Sequence, residues 1–215
     1  MFKKTVSIIV PLLVFTVVLT ISAPTKRVLD ESLDMKTLQK MASTGQLIHL
    51  QYDKSGKLTH RMVATLINAP LDTVWKTVTD FKNYNKFIPG LQPPKVRQIS
   101  KTEYVVDNTL NVEIYGPIKN TNKYSVGYEL KKPILYMYDP SKKKPAQSEM
   151  NIWKLVKVDG GKKTLIFYLD EAPDLKDLGS FVYGIVKDKP ELSLALQVSP
   201  VSIMVQQLKN YVEKK

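Results

Sequence analysis

One segment of this sequence, residues 64–91, constrains the fold more than any other. It begins as a strand-compatible run and changes at Asn68-Ala69-Pro70, where the fixed φ of Pro70 and its missing N–H suit the first turn of a helix. Apolar residues then recur at helical spacing with polar residues between them, so the helix should bury one face. A second apolar repeat, from Phe81 to Ile88, predicts a further short helix that Pro89-Gly90 ends.

Short strand patterns surround this segment on both sides. Before it, Ser55-Gly56 separates residues 46–52 from residues 58–67, as expected for a hairpin with glycine at a positive-φ turn position. After it, runs rich in β-branched and aromatic residues cover 95–99, 103–115, 122–130, 134–138, 150–158 and 164–169. Connections this short cannot hold the helical crossovers of a parallel sheet. We therefore predict an α+β fold with a curved antiparallel sheet and helices on one side.

The last third of the chain is predicted to be helical. Residues 175–187 carry apolar side chains at helical spacing, and the pattern stops before Pro190. Ser199 is a candidate N-cap, with Pro200 at the first helical position of a helix that continues to the C-terminus. Ordinary core packing is the default explanation for the apolar stripe of this last helix.

The motif residues of these segments resemble the START-like superfamily, the SRPBCC group that includes polyketide cyclase/dehydrase and Bet v 1-like proteins. The motif stands here as Ala69-Pro70, Val74-Trp75, Asp80-Phe81, Tyr84, Phe87 and Pro89-Gly90. A late hairpin is similar as well, with Trp153, Gly160-Gly161, Thr164 and Tyr168. The resemblance covers residues 45–215. It implies a helix-grip fold, in which a curved antiparallel sheet wraps a long C-terminal helix and leaves a hydrophobic tunnel between them.

The implied tunnel suggests which side chains contact a ligand. In such folds the last helix forms one wall, and the loop around residues 87–89 closes the mouth, although a plain hydrophobic plug explains this loop equally well. Strand aromatics can orient the polar end of a ligand in a partly wet pocket. We expect Trp75, by contrast, to be a core anchor. The predicted ligand-binding residues are Phe87, Ile88, Pro89, Tyr104, Tyr124, Tyr128, Trp153, Tyr168, Met204, Val205 and Leu208.

The N-terminus indicates where the protein works. Lys3 and Lys4 precede an almost uninterrupted apolar run over residues 5–21, which fits an export signal. An uncleaved membrane anchor fits the same run. The predicted organisation is a signal peptide or membrane anchor at 1–23, a helical lead-in at 24–44 and a START-like domain at 45–215. We expect the domain to be periplasmic or secreted, or anchored in the membrane and facing the periplasm.

Charge and composition exclude several classes of function. The net charge of +12 favours attraction to an anionic membrane surface. The lysines are scattered and no arginine-rich stripe is present, so we expect no nucleic-acid partner. Without cysteine the chain has no disulfides and no thiolate metal sites. His49 and His60 lie on the two arms of the first hairpin without a further metal ligand, and no cofactor or metal is implied.

Together these features predict a monomer that binds or transports a hydrophobic or lipid-like small molecule in an internal tunnel, without catalysis. The alternative is a cyclase- or dehydratase-type enzyme that uses the same cavity. A carboxylate alone in an apolar chamber would favour the enzyme, with Asp80, Asp107 and Glu113 as candidates. A protein-interaction module whose cavity is filled by its own side chains is a third hypothesis.

Overall fold

The structure is a computed structural model that describes residues 34–112, 116–129, 132–138, 151–178 and 180–214. The predicted signal peptide or anchor, Glu113 and the side chain of Tyr128 lie outside this description. Within the described residues, no helix has both the length and the apolar character required to cross a lipid bilayer.

A single antiparallel sheet contains all of the described strands. They are β1 (Leu47–Tyr52), β2 (Leu58–Ile67), β3 (Lys95–Gln98), β4 (Glu103–Val112), β5 (Gly116–Glu129), β6 (Lys132–Tyr138), β7 (Asn151–Val158) and β8 (Lys163–Glu171). Their order is β1-β2-β8-β7-β6-β5-β4-β3, so the early hairpin pairs directly with the last strand. Gly56 turns the first hairpin at φ +81°, as predicted. The predicted curved antiparallel sheet is confirmed.

Four α-helices accompany the sheet in the described part of the chain. They are α1 (Met35–Thr44), α2 (Leu71–Val78), α3 (Ser180–Val186) and α4 (Pro190–Glu213). Pro70 precedes α2 as its N-cap, which confirms the predicted helix start. The predicted second helix is a short 3₁₀ helix, Phe81–Lys86, and another, Leu175–Leu178, precedes α3.

The predicted start of the last helix was wrong. The helix α4 begins at Pro190, so Pro200 lies inside it and Ser199 is not its N-cap. A proline inside a helix removes one backbone hydrogen bond. Burial explains why the helix continues, because its buried face runs through this point from Gln197 to Val201 and Val205.

The prediction that all helices lie on one side of the sheet was also wrong. Strand residues of opposite parity form two separate apolar clusters, one against α4 and the other, which includes Ala42 of α1, on the opposite face. The helix α1 therefore packs on the outer face of β2, behind the surface that α4 covers. We call the α4 side the inner face.

The loop after the 3₁₀ helix is attached to the edge of β4. The backbone N–H of Asn111 donates to the carbonyl oxygen of Gly90 at 2.9 Å, and that of Gln92 donates to Thr109 at 2.9 Å. Gly90 has φ +77°, and a Cβ at this position would lie 2.6 Å from the carbonyl oxygen of Asn111. Glycine is therefore required here both by conformation and by space.

Candidate functional site

Strand register decides which side chains reach the inner face. Val63 on β2 lies opposite Tyr168 on β8, and Tyr168 lies opposite Trp153 on β7. All of these side chains belong to the cluster that packs against α4. Their sequence neighbours point outward, because successive residues of a strand face opposite sides. The strand aromatic Phe167 belongs to the outer cluster, and Tyr136 packs against that cluster.

Most of the predicted ligand-binding residues meet in the inner cluster. Its members or direct neighbours include Phe87, Ile88, Tyr104, Tyr124, Trp153, Tyr168, Met204, Val205 and Leu208. Pro89 is exposed at the adjoining loop. Trp75 is buried in the same cluster, as expected of a core anchor. The sequence thus identified side chains that the fold brings together, whereas their contact with a ligand stays a prediction.

Aromatic rings fill the space between the sheet, the 3₁₀ helix and the end of α4. The ring centroids of Phe81 and Tyr124 lie 4.4 Å apart, and those of Trp153 and Tyr168 also lie 4.4 Å apart. Phe87 packs against Tyr211 of α4 at 5.9 Å. Phe87 is therefore placed as a hydrophobic plug, and a gate at this point would require its ring to swing outward.

Three phenols are buried in this cluster. Burial raises the pKa of Tyr84, Tyr124 and Tyr168 above the ordinary tyrosine value, so all three are neutral near pH 7. The hydroxyl of Tyr84 donates to the carbonyl oxygen of Val78 at 2.6 Å, which ties the 3₁₀ helix to the end of α2.

A buried ion pair that sequence reasoning missed lies on the same face. Arg61 Nε donates to Asp170 Oδ1 at 2.7 Å, and Arg61 Nη2 donates to Asp170 Oδ2 at 2.6 Å. The two side chains are only 8% and 7% exposed. Direct cross-strand pairing of these residues on β2 and β8 explains the bidentate geometry.

The ion pair leaves part of its hydrogen-bonding capacity unused. Arg61 Nη1 is shielded from solvent and has no hydrogen-bond partner within the described residues. Thr65 Oγ1, four residues along the same face of β2, is also shielded from solvent and has no hydrogen-bond partner within the described residues. A buried donor without a hydrogen bond destabilises the fold. We therefore expect Arg61 Nη1 to donate to an oxygen atom of a ligand or of a bound water molecule.

Asp170 is a buried carboxylate on the inner face. Burial raises its pKa above the usual aspartate value, while the hydrogen bonds and charge of Arg61 act in the opposite direction. The carboxylates considered from the sequence lie elsewhere: Asp80 is exposed and accepts from Asn83 at 2.7 Å, and Asp107 faces Arg97 at 3.9 Å. The sequence signal for the ion pair was a charged residue two positions from an apolar residue that faces inward on the same strand. Apolar and polar residues alternate only loosely in these strands, so the sequence did not show which residues face inward.

The two histidines are offset across the first hairpin. Register pairs His49 with Met62 and His60 with Gln51. Burial lowers the pKa of His49, which favours its neutral form. Among the residues that the structure describes, no group of three or more His, Cys, Asp or Glu side chains could hold a metal ion.

A cavity of about 530 Å³ lies at the first-hairpin end of α4. Its walls come from the hairpin, the 3₁₀ helix before α3, and α3 and α4, and include Leu58, Leu175, Tyr183, Leu194 and Gln197. Gln197 Nε2 donates to the carbonyl oxygen of Pro173 at 2.9 Å, which links α4 to the segment after β8. A second cavity of about 590 Å³ lies beside α1 at Leu66 and Lys163.

The predicted ligand residues with described side chains line neither of these cavities. Val63, Val205 and Leu208 in the inner cluster have no exposed surface. A ligand that enters this cluster must therefore displace side chains, since a closely packed interior has little free volume.

Comparisons with known proteins agree with this architecture. Residues 67–131 match the family described as "Polyketide cyclase / dehydrase and lipid transport". No curated protein matches the sequence.

Three solved structures illustrate the similarity of fold. A STAR-related lipid transfer protein from Xanthomonas axonopodis has a TM-score of 0.57 at 10% identity, covering 79% of this chain and 94% of that one. Human StAR-related lipid transfer protein 5 has a TM-score of 0.56 at 13% identity, covering 83% and 92%. The Zhui aromatase/cyclase from a Streptomyces species has a TM-score of 0.51 at 13% identity, covering 72% and 93%. Residues 67–131 thus resemble this family, and the chain shares the helix-grip fold of these three structures.

Proposed function

We propose that this protein binds a hydrophobic or amphipathic, lipid-like molecule between the sheet and α4. The apolar part of the ligand lies against the aromatic inner cluster, and its polar end lies at Arg61 and Asp170. Two of the structures that share this fold are named as lipid transfer proteins, and a third is named as an aromatase/cyclase. The shared fold supports a hydrophobic ligand for this chain.

The unsatisfied Nη1 of Arg61 is the observation that carries the proposal. It is a buried cationic donor on the face of the sheet that carries the aromatic inner cluster. A hydroxyl or carboxylate oxygen of a ligand would supply the missing hydrogen bond, and hydrogen bonds to charged groups are the stronger ones. A purely apolar ligand would leave this donor unpaired.

Desolvation supplies the remaining driving force. Burying roughly 300 Å² of apolar ligand surface contributes about 7 kcal/mol before ordering costs are subtracted. Moving side chains such as Phe87, whose ring is buried in the cluster, reduces this gain. The flexible thioether of Met204, which is only partly buried, can adapt to an irregular ligand.

We also propose that the domain works outside the cytoplasm. The basic start and apolar run of residues 3–21 support export. Fractionation of a cell that expresses the full chain, with immunodetection in each fraction, tests this. Protein confined to the cytosolic fraction would contradict the proposal.

A cyclase- or dehydratase-type enzyme is the second candidate function. The specific observation in its favour is Asp170, a buried carboxylate with a raised pKa on the face that carries the aromatic cluster. Its bidentate bond to Arg61 favours the ionised, structural form, which makes binding the better-supported function. Asp170→Asn would abolish turnover while sparing ligand affinity if the carboxylate were a general acid or base.

The binding proposal is tested by native mass spectrometry of the purified full chain after incubation with a total lipid extract. We expect a non-covalent adduct of defined mass in the wild type. The double variant Arg61→Met/Asp170→Leu removes both charges while keeping comparable volume, and it should lose the adduct or exchange it for an apolar one.

Arg97→Met is the matched control, because Arg97 is an exposed arginine on β3 with a side chain 70% accessible. It should retain the wild-type adduct. The proposal fails if the wild type binds nothing from the extract, or if the double variant and the control retain the same adduct.

A further inference from the structure

Polar residues form a line across the inner face of the sheet at the level of Arg61. Arg61 on β2 lies opposite Asp170 on β8. Continuing the register between β8 and β7 by one residue places Asn151 opposite Asp170. Asn151 in turn lies opposite Met137 on β6, and Met137 lies opposite Tyr124 on β5. Directly paired residues share one face of a sheet, so all five side chains belong to the inner face.

Two further amides lie beside Tyr124 on the same face. Asn122 lies opposite Val106, whose side chain is buried in the inner cluster. Asn108 follows Val106 by two residues on β4 and therefore also faces inward. Burial raises the pKa of Tyr124, and a hydrogen bond from the Asn108 side chain opposes this rise. We use the name polar band for Arg61, Asp170, Asn151, Asn122, Asn108 and the hydroxyl of Tyr124.

The phenol of Tyr168 lies near both ends of the polar band. Burial raises its pKa, Asp170 and the phenol of Tyr124 raise it further, and Arg61 lowers it. Groups from β2, β8 and β5 thus act on one phenol, so the two ends of the polar band border the same part of the inner face.

The polar band lies at the end of the inner face away from α2. Thr164 Oγ1, near the start of β8, donates to the carbonyl oxygen of Ala69 at 2.8 Å, which places the start of α2 at that end of the strand. Asp170 is six residues further along β8, a distance of about 20 Å at 3.3 Å per residue. The side chains of Asn151 and Asn122 are partly exposed. The polar band is thus accessible to solvent, whereas the aromatic cluster extends from it towards α2.

The polar band carries no net charge. Arg61 and Asp170 neutralise each other, the buried phenol of Tyr124 stays protonated near neutral pH, and amides are uncharged. Amide groups both donate and accept hydrogen bonds, as hydroxyl groups do. A negatively charged head group would add a buried charge beside an arginine that is already paired. Because strands lie about 4.8 Å apart, β8 and β5 are separated by about 14 Å along the sheet, which leaves room for several hydroxyl groups.

We propose that the polar band binds an uncharged, polyhydroxylated head group, such as a sugar, of the lipid-like ligand. This inference rests on the proposed function, and it names the ligand class as a glycolipid. Hydroxyl groups of the head accept from Arg61 Nη1 and bond to the amides, while the chain lies against the aromatic cluster towards α2. A head with one hydroxyl would contact one end of the polar band, whereas a sugar contacts several of its members.

Three probes test this inference on the full chain: decyl β-maltoside, decanoate and maltose, each below the concentration at which micelles form. Both tryptophans of the chain lie in the inner cluster, so their emission reports binding there. Decyl maltoside and decanoate have chains of nearly equal length, and their affinities therefore differ through the head group. We expect decyl maltoside to bind at least about tenfold more tightly than decanoate, because its head group makes additional hydrogen bonds. Maltose alone should give no measurable change, since it lacks the chain.

Variants of β4 and β5 locate the effect. The double variant Asn108→Leu/Asn122→Leu removes two amides of the polar band at similar volume. Asn111→Leu is the matched control, because Asn111 is exposed and lies on the opposite face of β4. The ratio of the affinities for decyl maltoside and decanoate should fall several-fold in the double variant and stay at the wild-type value in the control.

The possible contrary results are distinguishable. Decanoate that binds the wild type as tightly as decyl maltoside would overturn the inference and leave the proposed function intact. The same affinity ratio in the double variant and the wild type would also overturn it. Maltose that binds as tightly as decyl maltoside would assign the polar band to a free sugar and overturn the glycolipid. Absence of binding by all three probes would contradict the proposed function itself.

Discussion

Arg61 and Asp170 are two buried charges that depend on each other. Both are removed from water, and the cost of this desolvation is offset only while their two hydrogen bonds are intact. Loss of one partner leaves an uncompensated charge in the core. Loss of both leaves an apolar site of similar volume.

At the residue scale we therefore predict a pH-dependent cost for Arg61→Met. In this variant the hydrogen bonds and charge of Arg61, the largest effects that oppose desolvation, no longer hold down the pKa of Asp170. Below about pH 3.9, the ordinary aspartate pKa, folded and unfolded states both hold the proton and the substitution costs least. As pH rises the unfolded state releases its proton first, so the free energy of unfolding of the variant falls relative to wild type. Urea unfolding from pH 4 to pH 8 measures this, with a loss of about 3–5 kcal/mol expected near neutrality.

The double variant Arg61→Met/Asp170→Leu is the control for this prediction. It has no buried carboxylate, so its difference from wild type should change far less over the same pH range. A single variant whose cost is the same at pH 4 and pH 8 would show that the carboxylate of Asp170 does not carry the effect.

A second residue-scale prediction concerns the hydroxyl of Tyr84. Tyr84→Phe keeps the ring and removes the 2.6 Å hydrogen bond to the carbonyl oxygen of Val78. We expect a loss of about 1–2 kcal/mol in the free energy of unfolding, because the carbonyl loses a buried partner. Tyr52→Phe is the control, since Tyr52 is exposed and should tolerate the same change. Equal stability of Tyr84→Phe and wild type would contradict the prediction.

At the scale of the elements, the attachment of the proline-glycine loop to β4 depends on Gly90. Gly90→Ala places a Cβ 2.6 Å from the carbonyl oxygen of Asn111 in addition to imposing a side chain at φ +77°. Gly56→Ala imposes similar strain at φ +81° but meets no atom within 4 Å. The strain alone costs about 1–2 kcal/mol. Gly90→Ala should therefore be clearly more destabilising than Gly56→Ala in thermal unfolding, and equal melting temperatures would refute the close contact.

The two faces of α4 give a further test at this scale. Leu208→Ala opens a cavity in the inner cluster and should cost about 2–5 kcal/mol. Ile203→Ala removes an exposed side chain on the outward face of α4 and should change stability by no more than about 0.5 kcal/mol. Urea unfolding of both variants makes the comparison. Similar losses would mean that the outward face of α4 is packed in the folded chain.

Local patterns explain which elements were predictable from the sequence. Turn residues such as Gly56 and the fixed φ of Pro70 act on their immediate neighbours, so the first hairpin and the start of α2 were predicted correctly. The start of α4 was not, because Pro200 resembles a first-turn proline and only tertiary burial from Gln197 onward carries the helix through it. The position of α1 on the outer face also depends on packing that no local signal contains.

On the scale of the whole molecule, the candidate site is partly predictable. The family motif led to the aromatic cluster, because each motif residue has a fixed place in the fold. The ion pair joins residues 109 positions apart, and their meeting depends on the pairing of the second strand with the last. Predicting the contact between Arg61 and Asp170 requires the register of the sheet. The loose alternation of apolar and polar residues in the strands does not determine that register.

The central claim is that a lipid-like ligand occupies the inner face between sheet and α4. Both tryptophans of the chain, Trp75 and Trp153, lie in that cluster. Titration of the full chain with a brominated long-chain fatty acid, followed by tryptophan fluorescence, therefore reports directly on occupancy. The account predicts saturable quenching at one ligand per chain, lost in Arg61→Met/Asp170→Leu and kept in Arg97→Met. Binding of the fatty acid that leaves the tryptophan emission unchanged, or no binding at all, would contradict it.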